Sequence, residues 1–176
     1  DDTRQALRDL APNLTRIDVE RIRVEFEKML MGGNAAESLK LALDDGVINY
    51  LPGEPLKIWD NIIQHIATHQ PADTFAVWSL VLAETDLTSS QINRFLRNWK
   101  LSRETITTVM TVVPLIRQID KVSTFYLYQA LPYQKTLFEL LTLLDVSNAT
   151  IGQIRHIIDM LPITNSSELA IQGGDL

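Results

Sequence analysis

The sequence contains no cysteine, so it carries none of the disulfide framework that is typical of small exported domains. It also lacks any run of about 18 apolar residues that could cross a membrane. No basic segment followed by an apolar one marks an export signal at the N-terminus. From these absences we expect a cytoplasmic protein with no membrane partner.

Several catalytic motifs are also missing. The sequence has no G-x-S-x-G elbow, no G-x-x-x-x-G-K-[ST] phosphate loop and no His-Asp dipeptide of a phosphohydrolase. His65 and His69 stand at i,i+4, a spacing that can present two imidazoles to a metal, but the glutamate of a zincin helix does not lie between them. We therefore expect no catalytic residue, metal site or cofactor in this chain.

The pattern of apolar residues is helical throughout. No segment shows the sustained alternation and hairpin turns that indicate strands. Apolar residues instead recur at i, i+3 and i+4 in short segments behind N-cap residues. The predicted N-caps include Asp18, Asn34, Asp73, Thr88 and Ser102, with capping boxes at Asn34 and Thr88. We predict an all-α protein, an irregular assembly of about ten short helices.

The net charge of −6 hides an uneven distribution. Residues 91–135, the basic block, hold seven cations and two anions, whereas the flanking segments are acidic. A polyanion would be attracted there and repelled elsewhere. The predicted RNA contacts within the block are Arg94, Arg97, Lys100 and Arg103, with Trp99 as a base-stacking candidate. The alternative is that Trp99 is core and the cations are solvated surface.

The clearest predicted helix spans Asp18 to Leu30. Val19, Ile22, Phe26, Met29 and Leu30 share its apolar face. Beside that face lies a charged stripe of Arg21, Glu25 and Lys28. The stripe is either an ordinary solvated helix face or a surface for a partner, because ion pairs at i,i+4 stabilise a helix by only about 0.2 to 0.5 kcal/mol each.

The same stretch resembles the last of the five motifs of bacterial-type class II tRNA nucleotidyltransferases, the family of the CCA-adding enzymes and their poly(A) polymerase relatives. That motif reads S/D-x-E-R-I-x-x-E-x-x-K-x-L, and every defining position is present in residues 18–30. A small-residue turn at 32–34, a short helix and a G-hydrophobic-LP stretch at 46–52 follow, as in the family. Glu168 to Leu176 resembles the E-L-x-I-x-G-x-D-L segment that begins the family's tail element.

The resemblance implies an incomplete enzyme with a neck remnant at 1–52, a body at 53–130 and an incomplete tail at 131–176. The family's catalytic head, which binds Mg²⁺, carries a G-[GS] pair between a strand and a helix, a metal-binding D-x-D and a nucleotide-reading E-D-x-x-R. None of these occurs here, since Asp1-Asp2 and Asp44-Asp45 are adjacent carboxylates and not an i,i+2 pair on a strand.

By the same resemblance, this chain would position tRNA for a head that transfers nucleotides from CTP or ATP to the tRNA 3′ end. The charged stripe would brace the nucleotide-reading turn of that head, and DNA would not be a partner. Two alternatives stay open: a noncatalytic helical protein-interaction module, and the C-terminal region of a poly(A) polymerase. The sequence does not distinguish CCA addition from CC-only or A-only addition.

Overall fold

Short α-helices form most of the computed structural model, which describes residues 2–161. The ten α-helices are α1 (Asp2–Leu10), α2 (Val19–Leu30), α3 (Ala35–Asp44), α4 (Trp59–Thr68), α5 (Thr74–Ala83), α6 (Ser89–Asn98), α7 (Arg103–Ile116), α8 (Thr124–Ala130), α9 (Gln134–Leu143) and α10 (Asn148–Asp159). The 3-10 helices are Ala11–Arg16, Val47–Tyr50, Ile119–Lys121 and Leu131–Tyr133. No strand occurs within residues 2–161, and the prediction of an all-α assembly of about ten short helices is confirmed. The predicted tail segment from Glu168 to Leu176 lies outside the described residues.

Most predicted helix starts are N-caps in the structure. The Asp73 carboxylate accepts a hydrogen bond from the Ala76 backbone N–H at 3.0 Å. Thr88 and Gln91 form both bonds of the predicted capping box, and the Ser102 hydroxyl accepts from the Thr105 backbone N–H. Each cap satisfies an N–H group that has no partner within its helix.

The capping box predicted at Asn34 is wrong. Helix α3 begins at Ala35, but the Asn34 side chain accepts no bond from the first turn. Its backbone has ψ 29°, whereas Thr88 has the extended ψ of 162° that directs a capping side chain over the first-turn N–H groups.

Pro114 lies inside α7, which continues to Ile116. A proline has no N–H, so the Met110 carbonyl, four residues earlier, loses its usual helical donor. The helix tolerates this loss so near its end because only two residues follow.

The core is centred on α5. Every residue from Ala76 to Leu82 is buried, which fits a helix that is apolar on all sides. Helices α2, α7 and α9 pack around α5. An aromatic cluster joins α2 to this core: the ring centroid of Phe26 lies 5.9 Å from Trp78 and 5.3 Å from Trp99, and Trp78 lies 4.8 Å from Trp99.

Helix α1 contributes no buried side chain. It is held by Arg4 and Arg8, whose guanidinium groups both lie 2.8 Å from the Asp45 carboxylate at the C-terminal end of α3. These charge-assisted bonds, with Arg4 bidentate on Asp45, position a helix that has little apolar packing of its own.

Candidate nucleic-acid interface

The charged stripe of Arg21, Glu25 and Lys28 lies on the solvent face of α2. All three residues are exposed. The Lys28 ammonium is 2.9 Å from the Glu25 carboxylate, but the two side chains are 64% and 74% exposed, so solvent weakens the pair. Arg21 forms no ion pair with any residue in the described part of the chain. Most hydrogen-bonding groups of the charged stripe are therefore available to a binding partner.

An apolar groove of about 380 Å³ runs beside the charged stripe. Arg21 and Glu25 form part of its rim. Its apolar lining comes from α2, the Ala11–Arg16 turn and the segment 42–51: Leu14, Ile17, Ile22, Phe26, Met29, Ala42, Val47, Ile48 and Leu51. Ile17 is 44% exposed in this groove. In a well-covered core a large apolar side chain would be buried.

On its other side, α2 makes polar contacts that sequence reasoning did not predict. The Trp78 indole N–H donates to the Glu27 carboxylate at 2.7 Å, and that carboxylate side chain is only 12% exposed. Arg23 donates to the Lys100 backbone carbonyl. The i,i+4 spacing of Arg23 and Glu27 indicated a pair on the helix surface, but nothing in the sequence placed Trp78 or residue 100 beside them.

Lys100, a predicted RNA contact, belongs to the same set of contacts. Its ammonium lies 3.2 Å from the Asp18 carboxylate at the start of α2. The Glu20 backbone N–H and, next, the Lys100 ammonium hold the pKa of Asp18 below its usual range. Lys100 also has a φ of 52°, since it leaves α6 in the left-handed region. The position of Lys100 thus links the α6–α7 turn to the motif helix.

The other three predicted RNA contacts are exposed on two consecutive helices. Arg94 and Arg97 are exposed on α6, and Arg103 is the exposed first residue of α7. Arg94 is 3.8 Å from Glu54, a long contact with both side chains largely exposed, and Arg97 donates to Asn93 at 2.8 Å. We refer to Arg94, Arg97 and Arg103 as the arginine corner.

Trp99 does not lie on that surface. It is 1% exposed and packs against Phe26 and Trp78, so it cannot stack on a base. The stacking role weighed for it is wrong, and the core alternative is confirmed. Trp99 is buried because it follows the last turn of α6 on the same apolar side of the helix as Ile92, Phe95 and Leu96.

Not every cation of the basic block is available to a ligand. Arg117 donates to the backbone carbonyl of Leu82 in the last turn of α5 and to those of Thr85 and Leu87 beyond that helix, and its burial lowers the pKa of the guanidinium. Lys135 is 2.8 Å from the Asp73 carboxylate. The surface that can attract a polyanion is therefore smaller than the whole basic block. It consists of the arginine corner and of Lys121, which is exposed.

His65, His69 and Asp45 each contact other side chains within the fold. His65 lies 3.2 Å from Glu84, and His69 lies 3.7 Å from Asp145. Asp45 is buried between Arg4 and Arg8, and the hydrogen bond from Arg4 holds its pKa below the ordinary value. Between residues 2 and 161, no three His, Asp or Glu side chains are grouped so that they could hold a metal ion.

None of the described helices is both long and apolar enough to cross a membrane.

Two family profiles match the chain. Residues 69–176 match "tRNA nucleotidyltransferase domain 2", and residues 1–54 match "Probable RNA and SrmB-binding site of polymerase A". The first profile covers the arginine corner, and the second covers the charged stripe.

Relatives and a solved structure agree with these matches. A CCA-adding enzyme of Leuconostoc mesenteroides is 45% identical over 99% of this chain and 44% of its own length. One from Limosilactobacillus fermentum is 33% identical over 93% of this chain and 41% of its own. The crystal structure of the Bacillus stearothermophilus CCA-adding enzyme in complex with CTP matches 99% of this chain and 45% of that one, with a TM-score of 0.79 and 27% identity. The chain thus spans less than half the length of these relatives.

Proposed function

This chain belongs to the tRNA nucleotidyltransferase family, the family of the CCA-adding enzymes and their poly(A) polymerase relatives, and from that membership we propose that it holds tRNA during 3′-end maturation and repair. In this proposal a catalytic head adds nucleotides from CTP or ATP, and the chain described here orients the tRNA in the cytoplasm. The separate profile matches at 1–54 and 69–176 support a boundary after the neck segment at 1–52, and the division of the rest into a body at 53–130 and a tail at 131–176 is part of the proposal.

The observation that carries this proposal is the arginine corner. Arg94, Arg97 and Arg103 are exposed on two consecutive helices, and the one contact to a carboxylate among them in the described part of the chain is the long, exposed one from Arg94 to Glu54. The chain as a whole has a net charge of −6, so a polyanion has few other places to approach. Recognition there would be of the RNA backbone and shape, because the deep groove of an A-form helix presents little sequence information to side chains.

Lys100 has a different role in this proposal. Because its ammonium is already paired with Asp18, it positions α2 against the arginine corner and meets a phosphate only if that pair opens. We therefore rank its contribution to RNA affinity below those of the three arginines.

The charged stripe has the properties of a surface for the head. Its side chains are exposed beside an apolar groove, where an approaching domain could bury apolar area and pair with Arg21, Glu25 and Lys28 together. The stripe would brace the nucleotide-reading part of the head and would not touch the reacting atoms.

The residues of this chain do not fit the Mg²⁺ site that the family uses for transfer. Asp45 is enclosed by two arginines, and no described group of carboxylates is arranged around a common point. Mg²⁺ and the chemical step would therefore belong to the head, and we assign no step of the reaction to this chain.

A second candidate is the corresponding region of a poly(A) polymerase, favoured by the description of the profile at 1–54. That description would place an RNA contact in the first segment, where Arg16 and Arg21 are exposed. The two candidates differ in the RNA that is bound: a folded tRNA for one, and an RNA 3′ end of any shape for the other.

Titration with different nucleic acids tests the proposal. The 176-residue chain should bind a tRNA transcript more tightly than an unstructured RNA of equal length, and should bind a DNA duplex of equal charge weakly. Equal affinity for tRNA and unstructured RNA would favour the poly(A) polymerase reading. The absence of any tRNA binding at low salt would contradict tRNA holding by this chain.

A further inference from the structure

A cleft of about 600 Å³ lies between α7, α8 and the 3-10 helix Leu131–Tyr133. Its walls combine flat rings with amide side chains: Pro114, Gln118, Tyr126, Gln129, Pro132 and Tyr133. Tyr126 is 53% exposed, so its ring is open to a ligand. None of the described residues that line the cleft is a carboxylate.

This lining suits a flat ring with a polar edge. Aromatic rings stack on the faces of nucleobases whatever their identity. A glutamine amide offers both donors and an acceptor, so Gln118 and Gln129 can meet the edge of any base. Met110 also lines the cleft, and its backbone carbonyl is the acceptor that loses its usual helical donor at Pro114.

Helix α7 carries both Arg103 of the arginine corner and several residues that line the cleft. Arg103, Thr107, Thr111 and Pro114 follow one another at spacings of three or four residues, so they share one side of α7. At a rise of 1.5 Å per residue, Arg103 and Pro114 are about 16 Å apart, a few nucleotides of a single strand. Lys121 is exposed between Gln118 and Val122 at the edge of the cleft, where a phosphate of the same strand would pass.

We propose that the cleft between α7 and α8 receives an unpaired nucleobase of the RNA that the arginine corner holds. The base stacks on Tyr126, and its edge meets the glutamine amides. The inference rests on the proposed RNA-binding function. It adds the cleft, which would bind unpaired bases, to the arginine corner, which would bind phosphates.

The test compares Tyr126→Ala, Tyr126→Phe and Phe125→Ala in the 176-residue chain. Phe125 is the matched control, because it is a 63% exposed ring on the same helix that does not line the cleft. The probes are a short single-stranded RNA carrying 2-aminopurine, whose fluorescence falls on stacking, and a blunt RNA duplex with no unpaired base.

Tyr126→Ala should weaken binding of the single strand by at least about fivefold and abolish the fluorescence change, as expected for loss of one stacked base. Tyr126→Phe should retain both, and duplex affinity should be the same for all variants. An unchanged single-strand affinity in Tyr126→Ala, or an equal loss in Phe125→Ala, would overturn the inference.

The same titrations separate this inference from the proposed function. If the parent chain binds tRNA and Tyr126→Ala binds both probes like the parent, only the base-stacking site is refuted. If the parent binds no RNA at low salt, the proposed function and the inference are both refuted.

Discussion

Phe26 of the motif helix contacts three tryptophans of the core. Its ring centroid lies between 5.3 and 5.9 Å from those of Trp59, Trp78 and Trp99. Truncation would leave a cavity among rings that cannot collapse easily. We expect Phe26→Ala to lower the free energy of unfolding by about 3 to 5 kcal/mol, measured by chemical denaturation. A loss below about 1 kcal/mol would show that α2 is not fixed by this cluster.

Glu27 and Glu25 provide a matched pair of carboxylates on the same helix. Glu27 accepts the Trp78 N–H in a largely buried position, whereas Glu25 pairs with Lys28 in solvent. Glu27→Ala should therefore cost about 1.5 to 3 kcal/mol, because it leaves a buried donor unpaired, and Glu25→Ala should cost less than about 0.5 kcal/mol. Equal losses in urea denaturation would contradict this division between a structural carboxylate and one left for a partner.

Individual residues also show how much of the candidate site could be predicted from the sequence. Arg94, Arg97 and Arg103 could be predicted as one exposed group because helical spacing and the local charge excess are both visible in the sequence. The core position of Trp99 was one of the two alternatives that the sequence offered, but the internal contacts of Arg117 and Lys135 could not be predicted, since their partners lie far away in the sequence. A cation in a basic block and a cation that caps a buried helix end look the same in a sequence.

Charged contacts hold helix α1 in place. It has no buried side chain, and Arg4 and Arg8 converge on Asp45. Asp45→Asn should release α1, which would raise the hydrogen-exchange rates of its amides while the amides of α5 stay protected. Asp44→Asn is the control, because Asp44 is the exposed neighbour. Unchanged exchange in α1 would mean that other contacts hold it.

The attachment of α1 should also depend on pH. The pKa of Asp45 is lowered from its ordinary 3.8, chiefly by the hydrogen bond from Arg4. The stabilisation is therefore fully present above the ordinary carboxyl pKa and is lost as pH falls through the lower folded value. Protection of the α1 amides should fall in acid below about pH 4 in the parent, while Asp45→Asn should show no such step. A loss of protection at neutral pH would point to a different group.

Helices were predictable from sequence where a cap coincided with an apolar rhythm, as at Asp73, Thr88 and Ser102. Asn34 failed because a preceding turn fixed its backbone outside the extended region. Tertiary packing of α1 was also hidden, since its apolar spacing resembles that of a buried helix although Leu7 is 50% and Leu10 is 61% exposed.

At the scale of the whole molecule, we expect the chain to bind RNA without catalysing nucleotide transfer. The 176-residue chain should add no labelled CMP or AMP to a tRNA that lacks its 3′ end, with Mg²⁺ present, because none of the family's metal-binding or base-reading motifs occurs in the sequence. Label incorporation above a no-protein control would mean that transfer chemistry resides in residues to which we assign only binding.

The central claim is that the arginine corner binds tRNA phosphates. Its most direct measurement is tRNA affinity across a salt series for the parent, for Arg94→Ala/Arg97→Ala and for the control Lys40→Ala/Lys57→Ala, which removes the same charge from exposed positions elsewhere. The arginine variant should bind more weakly, and the slope of log K against log salt should fall by about 1.4 to 2. The lysine variant should retain the parent slope. Equal behaviour of the two variants would contradict the claim and place the tRNA on another face.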